Sequence, residues 1–512
     1  MKIDRVKNAK KNVIFGILYK AVLIIMPFIT RTVIQYTIGT EYLGLNSLLK
    51  SILSVLSLSE LGFSSAIVYS MYKPVAEDDY KALCSLLNFY RKIFKIIGII
   101  ILAIGVVILP FVPRLIHGDC PENTNIYVIY LIYVIDTAIS YLLFAYLSSI
   151  LAAYQRNDVV SFNNMIFVLL MNTAQVLMLI VFRNYYLFTL MMPLFTVLNN
   201  LRIYIVARRM FPNIIPKGWP SRDVIEDVKT RVKGVFLIKL CIQTRNSLDS
   251  IFISFFLGLS MTAIYNNYYY IMFAAVSMMT IISPSIAGGV GNSIVTDSVE
   301  KNYNDLIKFE FLYLRIAGWM TTCLLCLIQP FMKIWMGDSM VLPLNTVILF
   351  AAYFYALMMG DMKFLYIEAT GMWWDYKFVF IIQTITNLIL NYTLGKWLGV
   401  FGIILATLLS IFLLDFCYGT RIVFYKYFGA EKLQQYYRRQ FMYVGVTTLV
   451  TALTFLLCSL IKLGNIEVLL IRTLICSVVP NILYFIIYRN YNLAKDSMRW
   501  FKSVVIGKRV SI

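Results

Sequence analysis

The stretch FGILYKAVLIIMPFITRTVIQYTIG, residues 15–39, has the length and apolar content of a membrane-spanning helix, yet it contains Lys20 and Arg31. A cation at the centre of a bilayer costs at least about 2.5 kcal/mol, so charged residues in spans usually face the bundle interior or a wet cavity. At about 100° per residue, both side chains fall on one face of the helix, about 16 Å apart along its axis. We therefore expect this face to line a path through the protein.

The composition is that of a membrane protein. Of the 512 residues, 60% are hydrophobic and only 14% are charged, whereas soluble proteins carry about 25% charged residues. Apolar runs of about 20 residues recur along the chain, and each can cross the hydrocarbon core. The sequence predicts an all-α polytopic membrane protein with about 14 transmembrane helices. The predicted spans are 13–37, 43–71, 93–113, 126–153, 159–182, 187–207, 235–257, 262–291, 308–332, 342–369, 374–395, 398–424, 440–461 and 467–488.

The net charge of +20 would suggest a nucleic-acid partner in a soluble chain, but here the positive-inside rule accounts for it. With the N-terminus inside, most Lys and Arg residues between spans fall on the cytoplasmic side. The outer loops hold only Arg114, Arg183, Lys333, Lys396 and Lys462. This bias predicts that both termini are cytoplasmic, and it removes the case for nucleic-acid binding.

The cysteines and the single histidine give little indication of a metal site. The eight cysteines form no disulfide framework, and Cys323 and Cys326 make a C-x-x-C pair inside an apolar helix. We interpret them as small packing residues. His117 lies beside Cys120 in an outer loop with few other ligands nearby. We therefore expect no metal and no other cofactor.

Motifs of covalent chemistry are missing from the sequence. There is no G-x-x-x-x-G-K-S/T phosphate loop, nucleophile elbow or H-E-x-x-H pattern. The longest outer loop, RLIHGDCPENTN, has no room for a catalytic domain. The sequence thus predicts a protein that is not an enzyme.

The longest linker between spans lies near the midpoint of the chain. Its sequence NIIPKGWPSRDVIEDVKTRVKG combines two prolines with dense charge. We predict an N-lobe of six spans at 1–207, a cytoplasmic amphipathic linker at 208–234, a C-lobe of six spans at 235–427, and an extension of two spans with a basic tail at 428–512.

The two halves contain a weak internal repeat. TIGTEYLGLNSLLK places Gly39 before Asn46, and FFLGLSMTAIYNNYYY places Gly258 before Asn266 with one inserted residue. The second copy falls six helices after the first. Repeats of an even number of spans keep the same orientation and are related by an axis along the membrane normal.

Around these glycines the chain resembles a known family. IGTEYLGLNSLLKSILSVLSLSELGFSSAIVYSMYKP, LGLSMTAIYNNYYYIMFAAVSMM and the two-span extension are similar to the polysaccharide-transport branch of the multidrug/oligosaccharidyl-lipid/polysaccharide (MOP) exporter superfamily. Members of that branch are flippases for undecaprenyl-pyrophosphate-linked oligosaccharide repeat units of O-antigen or capsule. The resemblance covers most of the chain.

The resemblance implies two six-helix lobes around a central cavity that opens to either side in turn, without covalent chemistry. It also implies a bacterial cytoplasmic membrane as the location. The expected partners are a polyprenyl-linked oligosaccharide, membrane lipids, and the polymerase and other polysaccharide-assembly proteins.

Five cations inside spans are the candidate substrate-binding residues. A pyrophosphate that crosses the low-dielectric core needs compensating charge, and Arg offers a planar fork that matches phosphate oxygens. The candidates are Lys20, Arg31, Lys50, Arg245 and Arg315.

A second set of charged residues inside spans is assigned to ion coupling or gating, with H+ or Na+ as the candidate ions. Arg245 and Asp249 are four residues apart in a polar sector, and Asp361 and Glu368 share one helix face with Lys363 close by. The set comprises Glu60, Asp136, Asp249, Asp361, Lys363 and Glu368. By contrast, Arg202, Asp415 and Arg472 lie near span ends, where snorkelling or local pairing accounts for them.

Three other functions compete with this hypothesis. A flippase for lipid II or another lipid-linked precursor would also have a basic cavity. A cation-coupled drug exporter of the same superfamily should have a carboxylate-rich N-lobe cavity. A membrane polysaccharide polymerase would need larger outer loops.

Overall fold

The computed structural model describes residues 5–57, 63–118, 120–121, 124–461 and 464–506. Within these ranges the regular secondary structure is helical throughout. The chain divides into two compact units, residues 1–263 and 264–512, and the boundary falls inside a long helix. The lobes predicted from the sequence divide instead at the linker 208–234, and that division stays a prediction.

Unit 1 contains eight helices and the first part of a ninth. They are α1 (Arg5–Thr37), α2 (Thr40–Leu56), α3 (Phe63–Ala76), α4 (Tyr80–Ile108), α5 (Ile126–Leu142), α6 (Ser148–Ala153), α7 (Asn157–Phe182), α8 (Tyr185–Met210) and α9 (Arg222–Met279). Short polar side chains cap the N-termini of several of these helices. Asp79 accepts a hydrogen bond from the Ala82 backbone nitrogen at 2.9 Å, which satisfies one free amide at the start of α4.

Unit 2 is arranged around α11, against which several other helices pack. Its helices after α9 are α10 (Ile282–Thr296), α11 (Val299–Met336), α12 (Leu344–Thr370), α13 (Trp373–Ser410), α14 (Thr420–Val423), α15 (Leu433–Ser459), α16 (Asn465–Tyr488) and α17 (Asn492–Ile506). The π-helical segments Ile411–Gly419 and Phe424–Phe428 flank α14.

Ten helical runs among the described residues are long and apolar enough to span a membrane, or eleven if the bent pair Ile126–Leu142 and Ala145–Ala153 is one span. The chain is therefore a multi-pass membrane protein. The predicted number of 14 is not confirmed. Two of the runs cover more than one predicted span, because the helix continues through a single non-helical glycine. Trp373–Phe428 covers the predicted spans 374–395 and 398–424, and Phe236–Met279 covers most of 235–257 and the first part of 262–291.

Gly39 and Gly258, the two glycines of the predicted repeat, share one backbone conformation. Gly39 has φ 105° and ψ 172°, and Gly258 has φ 82° and ψ −179°. Only glycine adopts this region readily, because a Cβ atom would clash with the backbone. Each glycine therefore breaks the helical path at the corresponding point of its half.

Gly44 of α2 packs directly against α9 just after this break. A Cβ atom at Gly44 would lie only 1.9 Å from the backbone oxygen of Leu259. The preceding turn is held by the His117 backbone nitrogen, which donates to the Ser254 oxygen at 2.9 Å. This close approach brings the polar face of α2 beside α9.

Candidate functional site

Arg31 connects three helices of unit 1. Its Nη1 donates to the Ser47 hydroxyl of α2 at 3.3 Å, and its Nη2 lies 3.5 Å from the Ala263 backbone oxygen of α9. Ser47 in turn donates to the Leu43 backbone oxygen at 2.9 Å. The Arg31 side chain is only partly buried. The guanidinium is thus held in a fixed position while part of it stays accessible.

Lys50 lies one turn beyond Ser47 on the same face of α2. Its side chain is exposed, and it is within electrostatic range of Arg31 and Asp136. Asp136 of α5 is half-buried and accepts a hydrogen bond from the Thr196 hydroxyl at 2.6 Å. We call these residues the Arg31 group: Arg31, Lys50 and Asp136. Two cations and one carboxylate give the group a net positive charge.

Neighbouring hydrogen bonds fix α2 in its position. The Tyr133 hydroxyl of α5 donates to the buried Asn46 side chain at 2.6 Å, and the hydroxyls of Ser54 and Ser247 lie 2.5 Å apart. Asn46 is the asparagine of the first repeat copy, and it is 2% exposed. The face of α2 that carries Lys50 is therefore tied to both α5 and α9.

The other predicted cations have different surroundings. Lys20 is exposed and has no hydrogen bond or ion pair among the described residues. Arg245 donates to the Asn246 side chain at 3.4 Å, and its buried Nε has no partner among the residues described. Asp249, four residues later, is buried. Arg315 in unit 2 lies within electrostatic range of the Tyr484 and Tyr488 hydroxyls of α16.

Unit 2 contains an ion pair between the buried Lys363 and the partly exposed Asp415, at the π-helical segment after α13. The Lys363 ammonium of α12 lies 3.6 Å from an Asp415 carboxylate oxygen and donates to the Asp415 backbone oxygen at 2.8 Å. It also donates to the Thr420 hydroxyl at 3.2 Å. The Tyr376 hydroxyl donates to the same carboxylate. This network satisfies a charge that would otherwise be too costly to bury.

The predicted carboxylates of α12 have different surroundings. Asp361 is half-buried and accepts a hydrogen bond from the Tyr313 hydroxyl of α11, whereas Glu368 is exposed near the end of α12. Glu60 lies outside the described residues. Asp361 is thus the α12 carboxylate that is held by a polar partner inside unit 2.

Sequence reasoning missed Glu310 and misjudged Asp415. Glu310 is 2% exposed and accepts a hydrogen bond from the Tyr436 hydroxyl at 2.6 Å. Glu310 lay only two residues inside the start of the predicted span 308–332, whereas α11 begins at Val299, so Glu310 lies well inside the helix. Asp415 pairs with a distant helix, not locally. The available signal was the acidic residues of α11 together with the tyrosines of α15.

A separate cavity of about 1060 Å³ lies between α3, α4 and the segment before α9. Its lining contains none of the candidate site residues. It includes three lysines and three aspartates together with Trp219 and Cys84. This balanced lining lacks the excess of positive charge found in the Arg31 group.

Solved structures with a similar fold are transport proteins. Lipid II flippase MurJ in an inward closed conformation matches with a TM-score of 0.67 and 16% identity, over 93% of this chain and 99% of that chain. An inward-facing multidrug resistance MATE family transporter of the MOP superfamily matches at 0.59 and 12% identity, over 82% and 95%. The Vibrio cholerae MATE transporter VcmN matches at 0.55 and 14%, over 81% and 96%.

No protein-family model matches the sequence, and no curated protein matches it. Identities this low establish the fold alone, since one fold supports several functions. The neighbours are transporters and a flippase, and none is described as an enzyme. The chain therefore has the fold shared by lipid II flippase MurJ and the MATE transporters of the MOP superfamily.

Proposed function

We propose that this protein is a flippase that moves undecaprenyl-pyrophosphate-linked oligosaccharide repeat units across the bacterial cytoplasmic membrane by alternating access, for O-antigen, capsule or exopolysaccharide synthesis. The observation that carries the proposal is the net positive Arg31 group, with Arg31 held by Ser47 and Ala263 and Lys50 exposed beside it.

The chemistry of the substrate requires such a group. A polyprenyl-linked oligosaccharide has a polyprenyl tail that can stay in the bilayer, but its pyrophosphate is an anion that must leave water. A guanidinium offers two parallel donors to phosphate oxygens, and an ammonium adds a mobile point charge. Asp136 competes for Lys50, so the lysine can release the pyrophosphate at the end of a cycle.

The charge of the Arg31 group also bears on two alternative functions. A drug exporter of this fold that binds cations would be expected to have carboxylates in excess, whereas the Arg31 group has two cations and one carboxylate. A lipid II flippase would bind the same polyprenyl pyrophosphate, and it is the second candidate because its fold is similar over 93% of this chain. The two flippase functions differ in the sugar and not in the charged group.

The test measures surface polysaccharide in cells whose only copy of the gene carries a substitution. Arg31→Ala should abolish the polymer, and Arg31→Lys should be partly active because the charge survives without the fork. Lys50→Ala should reduce the polymer. Lys396→Ala, which removes an exposed cation elsewhere, is the matched control and should be normal. Membrane abundance of each variant must equal that of the parent.

Lys20 tests how far the path extends along α1. If Lys20 binds the pyrophosphate at another stage of transport, Lys20→Ala should give a milder defect than Arg31→Ala, and Lys20→Arg should be tolerated. Normal polymer from the Arg31→Ala, Lys20→Ala double variant would show that both cations only anchor the helix, and it would refute the proposal.

The sugar specificity needs a separate measurement. The gene is expressed in cells depleted of their own lipid II flippase, and survival is scored. Failure to rescue growth, together with loss of surface polysaccharide on deletion of the gene, supports the oligosaccharide flippase. Rescue of growth without any effect on polysaccharide supports the lipid II alternative.

A further inference from the structure

Four of the eight cysteines meet at one place in unit 2. Cys323 and Cys326 lie on α11, Cys458 lies near the end of α15, and Cys476 lies on α16. The sulfur atoms of Cys326, Cys458 and Cys476 all lie within 4.8 Å of one another. Cys323 packs against these three, and its thiol contacts Cys476. Three helices thus direct three thiols at a common point, and the thiol of Cys323 lies beside them.

The spacing of the sulfur atoms fits a single tetrahedral metal ion. Zinc bound by thiolates has Zn–S distances of about 2.3 Å, which places the sulfur atoms about 3.8 Å apart. A disulfide requires two sulfur atoms at about 2.05 Å and joins only one pair. The i, i+3 spacing of Cys323 and Cys326 puts both thiols on one face of α11. The thiols of Cys326, Cys458 and Cys476 are therefore close enough to share one ion, and Cys323 is the adjacent thiol that can supply a fourth ligand.

The three clustered cysteines are buried, and Cys323 at their edge is partly buried. Cys326 and Cys458 are 0% exposed and Cys476 is 1% exposed. Buried thiols suit a structural zinc site, which is closed and has no open position for a substrate. Thiolates are also the soft ligands that select zinc over magnesium or calcium.

Arg472 supplies the cation that such a site requires. Zinc with four thiolates carries a net charge of −2, and a buried anion needs a partner. The Arg472 Nη1 donates to the Cys326 backbone oxygen at 3.4 Å, and the residue lies within electrostatic range of the Cys458 thiol. Its buried Nε has no partner among the described residues. This unsatisfied donor is explained if charge is present on the sulfur atoms.

A second outer contact orients Cys476. The Trp319 indole nitrogen of α11 donates to the Cys476 backbone oxygen at 2.8 Å. Trp319 lies one helical turn before Cys323, and Arg472 lies one turn before Cys476. Outer partners of this kind fix the orientation of metal ligands and raise affinity.

We propose that Cys323, Cys326, Cys458 and Cys476 bind one zinc ion, which fastens α15 and α16 to α11. Binding displaces the thiol protons to solvent and leaves zinc in its divalent state, so no electron transfer is involved. This proposal departs from the interpretation of the cysteines as packing residues. The sequence shows only the C-x-x-C pair, whereas the other two ligands come from distant helices.

The test is metal analysis of the full-length protein purified in detergent without chelator. We expect about one zinc ion per chain by mass spectrometry of the metal, as for other closed tetrathiolate sites. Zinc should be lost from Cys458→Ser and Cys476→Ser variants. Cys241→Ser, which changes a buried cysteine of α9 outside the cluster, is the matched control and should retain zinc.

Two further measurements keep the test independent of folding. Reduced, metal-free protein titrated with Co²⁺ should develop the absorption bands of tetrahedral cobalt thiolate, and Zn²⁺ should displace them. Removing zinc with a chelator should lower the unfolding temperature of the parent protein but not that of Cys476→Ser. Uptake of neither metal by reduced protein, or paired disulfides among the four residues, would overturn the proposal.

Discussion

The Lys363 ammonium lies 3.6 Å from the Asp415 carboxylate and 2.8 Å from the Asp415 backbone oxygen, although 52 residues separate the two positions. Asp415 belongs to a π-helical segment, where the wider turn frees backbone oxygens for other partners. Its backbone oxygen also accepts a hydrogen bond from the Tyr376 hydroxyl at 3.3 Å. The π-helical segment thus supplies the oxygen acceptors that stabilise the buried Lys363 ammonium.

Lys363→Met should destabilise the protein strongly. It leaves the partly exposed Asp415 carboxylate without its cation. Removing one partner of a fully buried pair costs about 3–5 kcal/mol, and we expect a loss towards the lower end because Asp415 keeps some contact with solvent. We expect a clear decrease in the unfolding temperature of purified protein, measured by intrinsic fluorescence in detergent. The Lys363→Met, Asp415→Leu double variant should recover much of the loss, because no uncompensated charge remains.

The matched control for this pair is on the surface. Lys426 pairs with Asp375, but both side chains are well exposed. Exposed pairs contribute about 0–1 kcal/mol, so Lys426→Met should leave the unfolding temperature nearly unchanged. Equal losses for Lys363→Met and Lys426→Met would contradict the role assigned to burial.

Gly44→Ala should disrupt the contact between α2 and α9. The added methyl group would lie 1.9 Å from the Leu259 backbone oxygen, so the helices must separate, at a cost of about 1–3 kcal/mol. Gly16→Ala in α1 is the control, since a Cβ there meets nothing within 4 Å. We expect lower stability and lower transport for Gly44→Ala alone. Similar behaviour of the two variants would show that the helices adapt.

Neutralising a carboxylate inside a span should impair transport if proton coupling uses these residues. Asp361→Asn keeps an acceptor for the Tyr313 hydroxyl but removes the charge, so folding should survive. The same logic applies to Asp136→Asn, which keeps an acceptor for Thr196. Glu60→Gln and Glu368→Gln complete a set of four variants. We expect at least one of the four to reduce surface polysaccharide while the protein is present in the membrane at normal abundance. Normal transport by all four would leave the membrane potential as the driving force.

Cysteine labelling can establish which side of the membrane each loop occupies. Cys120 is partly accessible in an outer loop of the predicted topology, and Cys84 lines the cavity between α3, α4 and the segment before α9. A membrane-impermeant maleimide should label Cys120 in intact cells and Cys84 only after permeabilisation. Labelling of Cys84 from outside would reverse the assignment of sides.

The sequence by itself determined the features that depend on local patterns. Apolar runs predicted the membrane class and the approximate span positions. This is possible because the hydropathy of a segment determines whether it lies in lipid or in water, and it does not depend on residues far along the chain. The internal repeat singled out Gly39 and Gly258, and the structure then showed that both have backbone angles that only glycine adopts readily. The sequence also showed that two cations, Arg31 and Lys50, lie inside predicted spans.

Only the tertiary structure decided which of these residues act together. The partners of Lys363, Glu310 and Cys326 come from helices far along the chain, and their meeting depends on how helices pack and rotate. Periodicity fixes the face of a helix on which a residue lies, but it does not fix what that face meets. A polar residue inside an apolar helix therefore indicates that a partner is required, but only the packing of the helices determines which residue is that partner.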